Sequence, residues 1–172
     1  ASYEPAPADI FIIAVPTPFA DGHAPDMSYV EAATRALAPH LRPGNLVILE
    51  STSPVGATEQ IAGWIAHERP DLGPDITAGG DRIFLVHSPE RVLPGRVLQE
   101  LVVNDRIVGG IDTASADVGA EFYRTFTTGT VFTTKARTAE LSKLAENAFR
   151  DVNIAYANEL SLICDRLGVN VW

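Results

Sequence analysis

Short, unbroken apolar runs recur along the chain, and between them apolar residues return every three or four positions. The runs are "DIFIIAV" at 9–15, "NLVILES" at 45–51 and "RIFLVHSPE" at 82–90. They lack polar alternation, so they predict strands buried on both faces of a parallel sheet. The helical stretches between them, "YVEAATRALAPHL" (29–41) and "ATEQIAGWIAHE" (57–68), then read as crossover helices. Asp26 or Ser28 is placed to cap the first of these, and "RPG" (42–44) stops it. Two shorter strands, "RIVGG" (106–110) and "GTVFTT" (129–134), flank a helix from about Thr113 to Phe126. Such β/α alternation predicts an α/β fold, a partial Rossmann-like doubly wound parallel sheet. From Arg137 to Leu167 the pattern becomes one helix of about 30 residues, more than twice the usual length, ended by Gly168. A helix this long joins domains or pairs subunits, so the chain is divided near residue 133.

Composition narrows the class. With 172 residues, 46% of them hydrophobic, the chain has the material for one core and part of another. Its formal net charge of −9 and the lack of any Lys/Arg-rich run argue against nucleic acid or an anionic membrane surface as partner. The apolar runs fall far short of the roughly 20 residues that span a bilayer. No secretory-signal layout opens the chain, so a soluble cytoplasmic protein is expected. The single cysteine, Cys164, reads as a small core residue on the long helix, and the four scattered histidines give no metal-ligand spacing. The chain opens on a buried strand and carries no G-x-G-x-x-G, which together suggest an incomplete unit.

Chemistry concentrates in two places. "VPTP" (15–18), "ESTSPVG" (50–56) and "HSPERVLPG" (87–95) each follow a predicted strand, where open α/β sheets bind ligands. Each has a plainer reading as well: a proline-stiffened loop, a Ser/Thr-rich turn capping a helix, an ion-paired surface loop. On the long helix, Lys143, Asn147 and Arg150 fall within about 60° of one another, opposite Leu141, Ala145, Ala148, Val152 and Ile163. Amphipathicity alone explains such a stripe. A lysine, an amide and an arginine in line, with few opposite charges beside them, would also suit an anionic, hydroxyl-bearing ligand.

Taken in order, "IIAVPTPF", "ILESTSPVG", "SPERVLPG", "NDRIVGG" and "RTAELSKLAENAFRDVNIAYANELSLI" resemble the UDP-glucose/GDP-mannose dehydrogenase family, most closely its bacterial UDP-N-acetyl-D-mannosamine branch. The resemblance implies oxidation of a nucleotide sugar at C6, from alcohol to carboxylate, with two NAD⁺ reduced. It implies that residues 1–133 are the C-terminal part of an NAD-binding domain and that 134–172 begin a central helical domain, which would form a homodimer through the long helix. By the same resemblance Thr17 and Thr52 would contact NAD, and Glu90 would serve the water and proton chemistry of thioester hydrolysis. Arg91, Val92 and Arg150 would contact the sugar nucleotide, with Lys143 as catalytic lysine and Asn147 beside it. The glycine fingerprint is expected upstream of Ala1 and the nucleophilic cysteine downstream of Trp172, so Cys164 does not inherit that role and the chain alone is expected to be inactive. Pro94 stands where the UDP-glucose branch has a second glutamate, which favours the mannosamine branch. The alternatives are a UDP-glucose or GDP-mannose 6-dehydrogenase, a β-hydroxyacid dehydrogenase, and a non-catalytic nucleotide-sugar-binding or dimerisation module.

Overall fold

Residues 4–72, 82–92 and 95–172 are described, in a computed structural model. Residues 73–81, and Leu93 and Pro94 of the "SPERVLPG" motif, therefore lie outside the described residues. The order is β1 (Ile10–Ile13), α1 (Ser28–Leu37), β2 (Leu46–Leu49), α2 (Ala57–Glu68), β3 (Phe84–His87), α3 (Val97–Val103), β4 (Arg106–Gly110), α4 (Thr113–Arg124), β5 (Val131–Lys135) and α5 (Ala136–Leu167). One sheet takes the strands in chain order.

The apolar runs become strands because both faces of the sheet are covered. On one face Phe11, Ile13, Val47, Leu49 and Leu85 pack with Val30 and Leu37 of α1 and Ile61 and Ile65 of α2. On the other, Leu46, Ile48, Val86 and Val108 pack against Tyr123 of α4. Strand β2, inside the sheet between β1 and β3, is buried at every position, which is what an unbroken "LVIL" run requires. Each such side chain contributes on the order of 1.5–3 kcal/mol by leaving water. β1 departs from the expectation: its burial alternates, and Ile12 is 47% exposed because α4 packs over β2 to β5 and not over β1.

The α/β class stands, but the sheet is not parallel throughout. β1, β2 and β3 are mutually parallel. β4 meets β3 antiparallel, with Val86 opposite Gly110 and His87 opposite Gly109, and β5 is parallel to β4. The cause lies in α3, which the periodicity did not reveal. It buries none of its seven residues, so it makes no crossover on the sheet face, and the chain turns back into β4 from the end at which β3 finished.

The N-cap of α1 is Met27, which brings no side-chain cap, so neither Asp26 nor Ser28 caps it as expected; Asp26 Oδ1 accepts the Ser28 N–H at 2.9 Å just ahead of the helix. At the start of α4 the Asp112 side chain accepts the Ser115 N–H at 2.7 Å. Gly168 ends α5 in the left-handed region at φ 67°, and its N–H and that of Val169 close onto the Asp165 and Cys164 carbonyls.

α5 runs unbroken for 32 residues, yet only Ala136, Ala139 and Glu140 are buried. Its apolar side is exposed at Leu141, Val152 and Ile163, and Cys164 is partly exposed there instead of sitting in a core. The first turns of α5 are seated by Gly109, where an added Cβ would lie 2.6 Å from Ala139 Cβ and 2.8 Å from the Lys135 carbonyl oxygen. Two of the nearest atoms are backbone and cannot turn aside. Gly109→Ala is therefore expected to destabilise the fold by about 1–3 kcal/mol through overpacking, read from urea unfolding; an unchanged midpoint would show that α5 does not rest on β4.

Candidate active site

The loops after β1 and β2 form one unit. The Ser51 hydroxyl accepts the Val15 N–H at 2.8 Å and donates to the Val15 carbonyl at 2.7 Å. Thr17 Oγ1 donates to the Thr52 carbonyl at 2.7 Å, and buried Ser53 donates to the Ser51 carbonyl at 2.9 Å. Two strand ends are thus tied through peptide groups, with hydroxyl oxygens left at the edge.

The N-terminus of α2 follows directly, and its first N–H groups have no partner within the helix. Residue 56 is glycine, at φ 97°, and brings no side-chain cap. The acceptor comes from α5. Glu140, fully buried, accepts the Gly56 N–H on one oxygen at 2.6 Å, and on the other the Thr58 N–H at 2.8 Å and the Thr58 hydroxyl at 2.6 Å. On the surface beside it, Arg137 holds Glu59 with two bonds of 2.7 and 2.6 Å. The sequence reading missed Glu140. Its signal was a helix start with no capping residue of its own, and an acid three positions before Lys143.

Beyond Glu140, α5 passes the β3 loop and the two enclose an open cleft of about 850 Å³, lined among others by Thr52, Arg91, Val92, Lys143, Asn147 and Arg150. Six of the eight residues singled out from sequence therefore meet in one place. Lys143 is half-buried and has no hydrogen-bond or ion-pair partner among the described residues, whereas Arg150 Nη2 donates to Asn147 Oδ1 at 3.3 Å. Thr17 is not among the residues lining the cleft and is joined to it through its bond to Thr52. Glu90 is set back in its own loop, where its carboxylate accepts the Val92 N–H.

The expectation of few opposite charges beside the cations is overturned by Glu146. It lies in the cleft and takes the Arg91 guanidinium in a fork, Nε at 3.2 Å and Nη2 at 2.9 Å. That pairing, opposed by partial burial and aided by the charges of Arg91, Lys143 and Arg150, holds the Glu146 carboxyl below its usual range. Glu100 of α3 and Asn104, just past its end, form the far wall, and Asn104 Nδ2 donates to the Glu100 carboxylate at 3.3 Å.

Two polar groups lie beneath the site. Tyr123 donates its hydroxyl to Glu50 at 2.8 Å, and the Arg106 guanidinium stands 4.7 Å from the centre of the Tyr123 ring. Burial, then the Glu50 charge, raises the tyrosine hydroxyl above its ordinary range. His87, at the end of β3, is fully buried, and neither ring nitrogen has a hydrogen-bond partner among the described residues. Burial lowers its pKa from 6.5 to about 4, against the nearby Glu140 charge, which works in the other direction. Among the described residues no group of three or more His, Cys, Asp or Glu side chains is placed to hold a metal ion, and no helix is long and apolar enough to cross a membrane.

Strand-end loops on an open α/β sheet, facing a Lys/Asn/Arg stripe on a connecting helix, belong to the Rossmann-type dehydrogenases. A solved structure of UDP-D-ManNAc dehydrogenase from Pyrococcus horikoshii superposes with a TM-score of 0.87 at 45% identity, over 95% of this chain and 38% of that one. Residues 1–127 match the NAD binding domain of the UDP-glucose/GDP-mannose dehydrogenase family and residues 137–172 its central domain. The chain belongs to that family. It is 59% identical over its whole length to an NDP-N-acetyl-D-galactosaminuronic acid dehydrogenase of Ralstonia nicotianae, covering 41% of that protein. Over 98% of its length it is 56% identical to a UDP-N-acetyl-D-mannosamine dehydrogenase of Campylobacter jejuni, covering 42% of it. The chain thus spans about two fifths of the length of the relatives it matches.

The described residues fit the uncharged parts of NAD. The β1 and β2 loops offer hydroxyls and peptide groups, and the N-terminus of α2 offers no anion site, because Glu140 already takes its N–H groups.

The pH dependence of stability follows from His87. Above pH 6.5 both folded and unfolded chains hold it neutral. Between 6.5 and about 4 only the unfolded chain binds the proton, so stability falls as pH drops through that window, by an amount on the order of 3 kcal/mol at its foot. Urea unfolding at pH 7 and pH 5 should show a smaller loss for His87→Gln than for the parent; equal losses would mean that His87 is not held neutral.

Proposed function

We propose that the protein carrying this chain oxidises UDP-N-acetyl-D-mannosamine at C6 to the uronate. The alcohol, one water and two NAD⁺ give the carboxylate, two NADH and three protons. What carries the reading is a single cleft that takes in Thr52 of the cofactor-side loop, Arg91 and Val92 of the β3 loop, and Lys143, Asn147 and Arg150 of α5.

Each residue has a task suited to its chemistry. Thr17 and Thr52 contact NAD, which accepts a hydride from C6 in each oxidation. Lys143, on the next turn after the buried anchor of α5, takes up the alcohol proton and stabilises charge developing on the C6 oxygen. Asn147, one turn further on, orients that oxygen. Arg91 and Arg150 meet the anionic part of the sugar nucleotide, with Val92 against it, and Glu90 directs water in the hydrolytic step. Cys164, on the projecting part of α5, takes no part. Residues 1–133 complete the NAD-binding domain, and residues 134–172 open a central domain whose exposed apolar side on α5 pairs with a second copy in the cytoplasm. A second reading, an N-acetylgalactosamine nucleotide as substrate, is favoured by the likeness to the Ralstonia nicotianae relative.

NADH formed per sugar consumed by the complete protein separates the readings. Two NADH per UDP-N-acetylmannosamine, with that sugar preferred over UDP-N-acetylgalactosamine, UDP-glucose and GDP-mannose, is the expected result; one NADH would reduce the reaction to a simple alcohol oxidation, and none with any sugar would refute the activity. Lys143→Ala should lower kcat by about 100-fold or more. A near-normal kcat would remove lysine from the chemistry.

A further inference from the structure

We infer that Glu140 is a positioning residue: its buried carboxylate fixes the register between the loop bearing Thr52 and the turn of α5 bearing Lys143. The inference rests on the reading of the cleft given above. Gly56, whose N–H one Glu140 oxygen accepts at 2.6 Å, lies four residues after Thr52. Lys143 lies three residues after Glu140, on the adjoining turn of the same helix, so the two face the same way. One side chain therefore holds both walls of the cleft by their nearest fixed points.

A carboxylate is the group the geometry demands. Three donors converge on it, two peptide N–H groups and the Thr58 hydroxyl, so both of its oxygens must accept. Glutamine has the same shape but turns an NH₂ toward one of those N–H groups, leaving two donors face to face. Aspartate keeps the charge and falls short by one methylene. The neighbouring Arg137–Glu59 pair joins the same two helices in water and is not a substitute, since exposed ion pairs fix little.

The consequence is kinetic. A small displacement of α5 moves Lys143 against the cofactor loop, and misplacement by about 1 Å costs on the order of 100-fold in rate. Steady-state kinetics of the complete protein with UDP-N-acetylmannosamine and NAD⁺ test this, with thermal melting run on each variant. Glu140→Gln should fold and lose at least tenfold in kcat while KM for the nucleotide sugar moves less than about threefold, because Arg91 and Val92 belong to the β3 loop and not to α5. Arg137→Gln should stay near the parent rate. If Glu140→Gln melts far below the parent, Thr58→Val decides: it removes one of the three hydrogen bonds and leaves the anchor, so a lowered kcat with KM kept supports the inference and a parental kcat overturns it. A folded Glu140→Gln with parental kcat also overturns it, and leaves the functional reading intact. A parent protein that oxidises no nucleotide sugar removes that reading and the inference with it.

Discussion

A helix that begins inside a protein must find acceptors for its first N–H groups, and α2 finds them in a side chain 82 to 84 residues away. Most of what is particular to this structure follows from that need. The Glu140 carboxylate sits at the positive end of the α2 dipole, where a negative charge is favoured, and leaving those donors unmet would cost the fold their full desolvation penalty. Satisfying them draws the start of α5 onto the sheet, against Gly109, and sends the rest of the helix along the strand ends. The same contact gives the N-terminus of α2 a negative charge from within the chain.

The cleft carries its own counter-ion. Arg91, Lys143 and Arg150 in one partly buried space would repel one another, and Glu146 among them relieves that. The two-point contact also fixes the orientation of the Arg91 guanidinium, so that long side chain is already ordered.

The reversal of direction at β4 serves the same end. By staying at the carboxyl edge after β3, the chain places the short helix α3, with Asn104 and Glu100, opposite α5 and gives the cleft a second wall. A face-crossing helix at this point would have buried that segment under the sheet, and the site would be open on one side. Beneath it, the bond from Tyr123 to Glu50 and the stacking of Arg106 join β2, α4 and β4 in one polar network, which holds the two halves of the mixed sheet together under the loops.

The elements with their own periodicity were legible in the chain. "ATEQIAGWIAHE" is α2 residue for residue, "RIVGG" is β4, and the end of α5 at Gly168 was written in a residue that tolerates the left-handed conformation. The Lys143, Asn147 and Arg150 stripe was also visible, because a helix repeats its faces locally. Sequence did not name the partners that lie far along the chain. Whether β4 runs with or against β3, that Glu146 lies between the cations, that His87 is fully buried, and that Glu140 caps a helix it does not belong to were all decided by the packing. Local propensity acts over a few residues, whereas a buried charge or an orphaned N–H is answered by whatever the fold brings within 3 Å, and only the tertiary structure names that group.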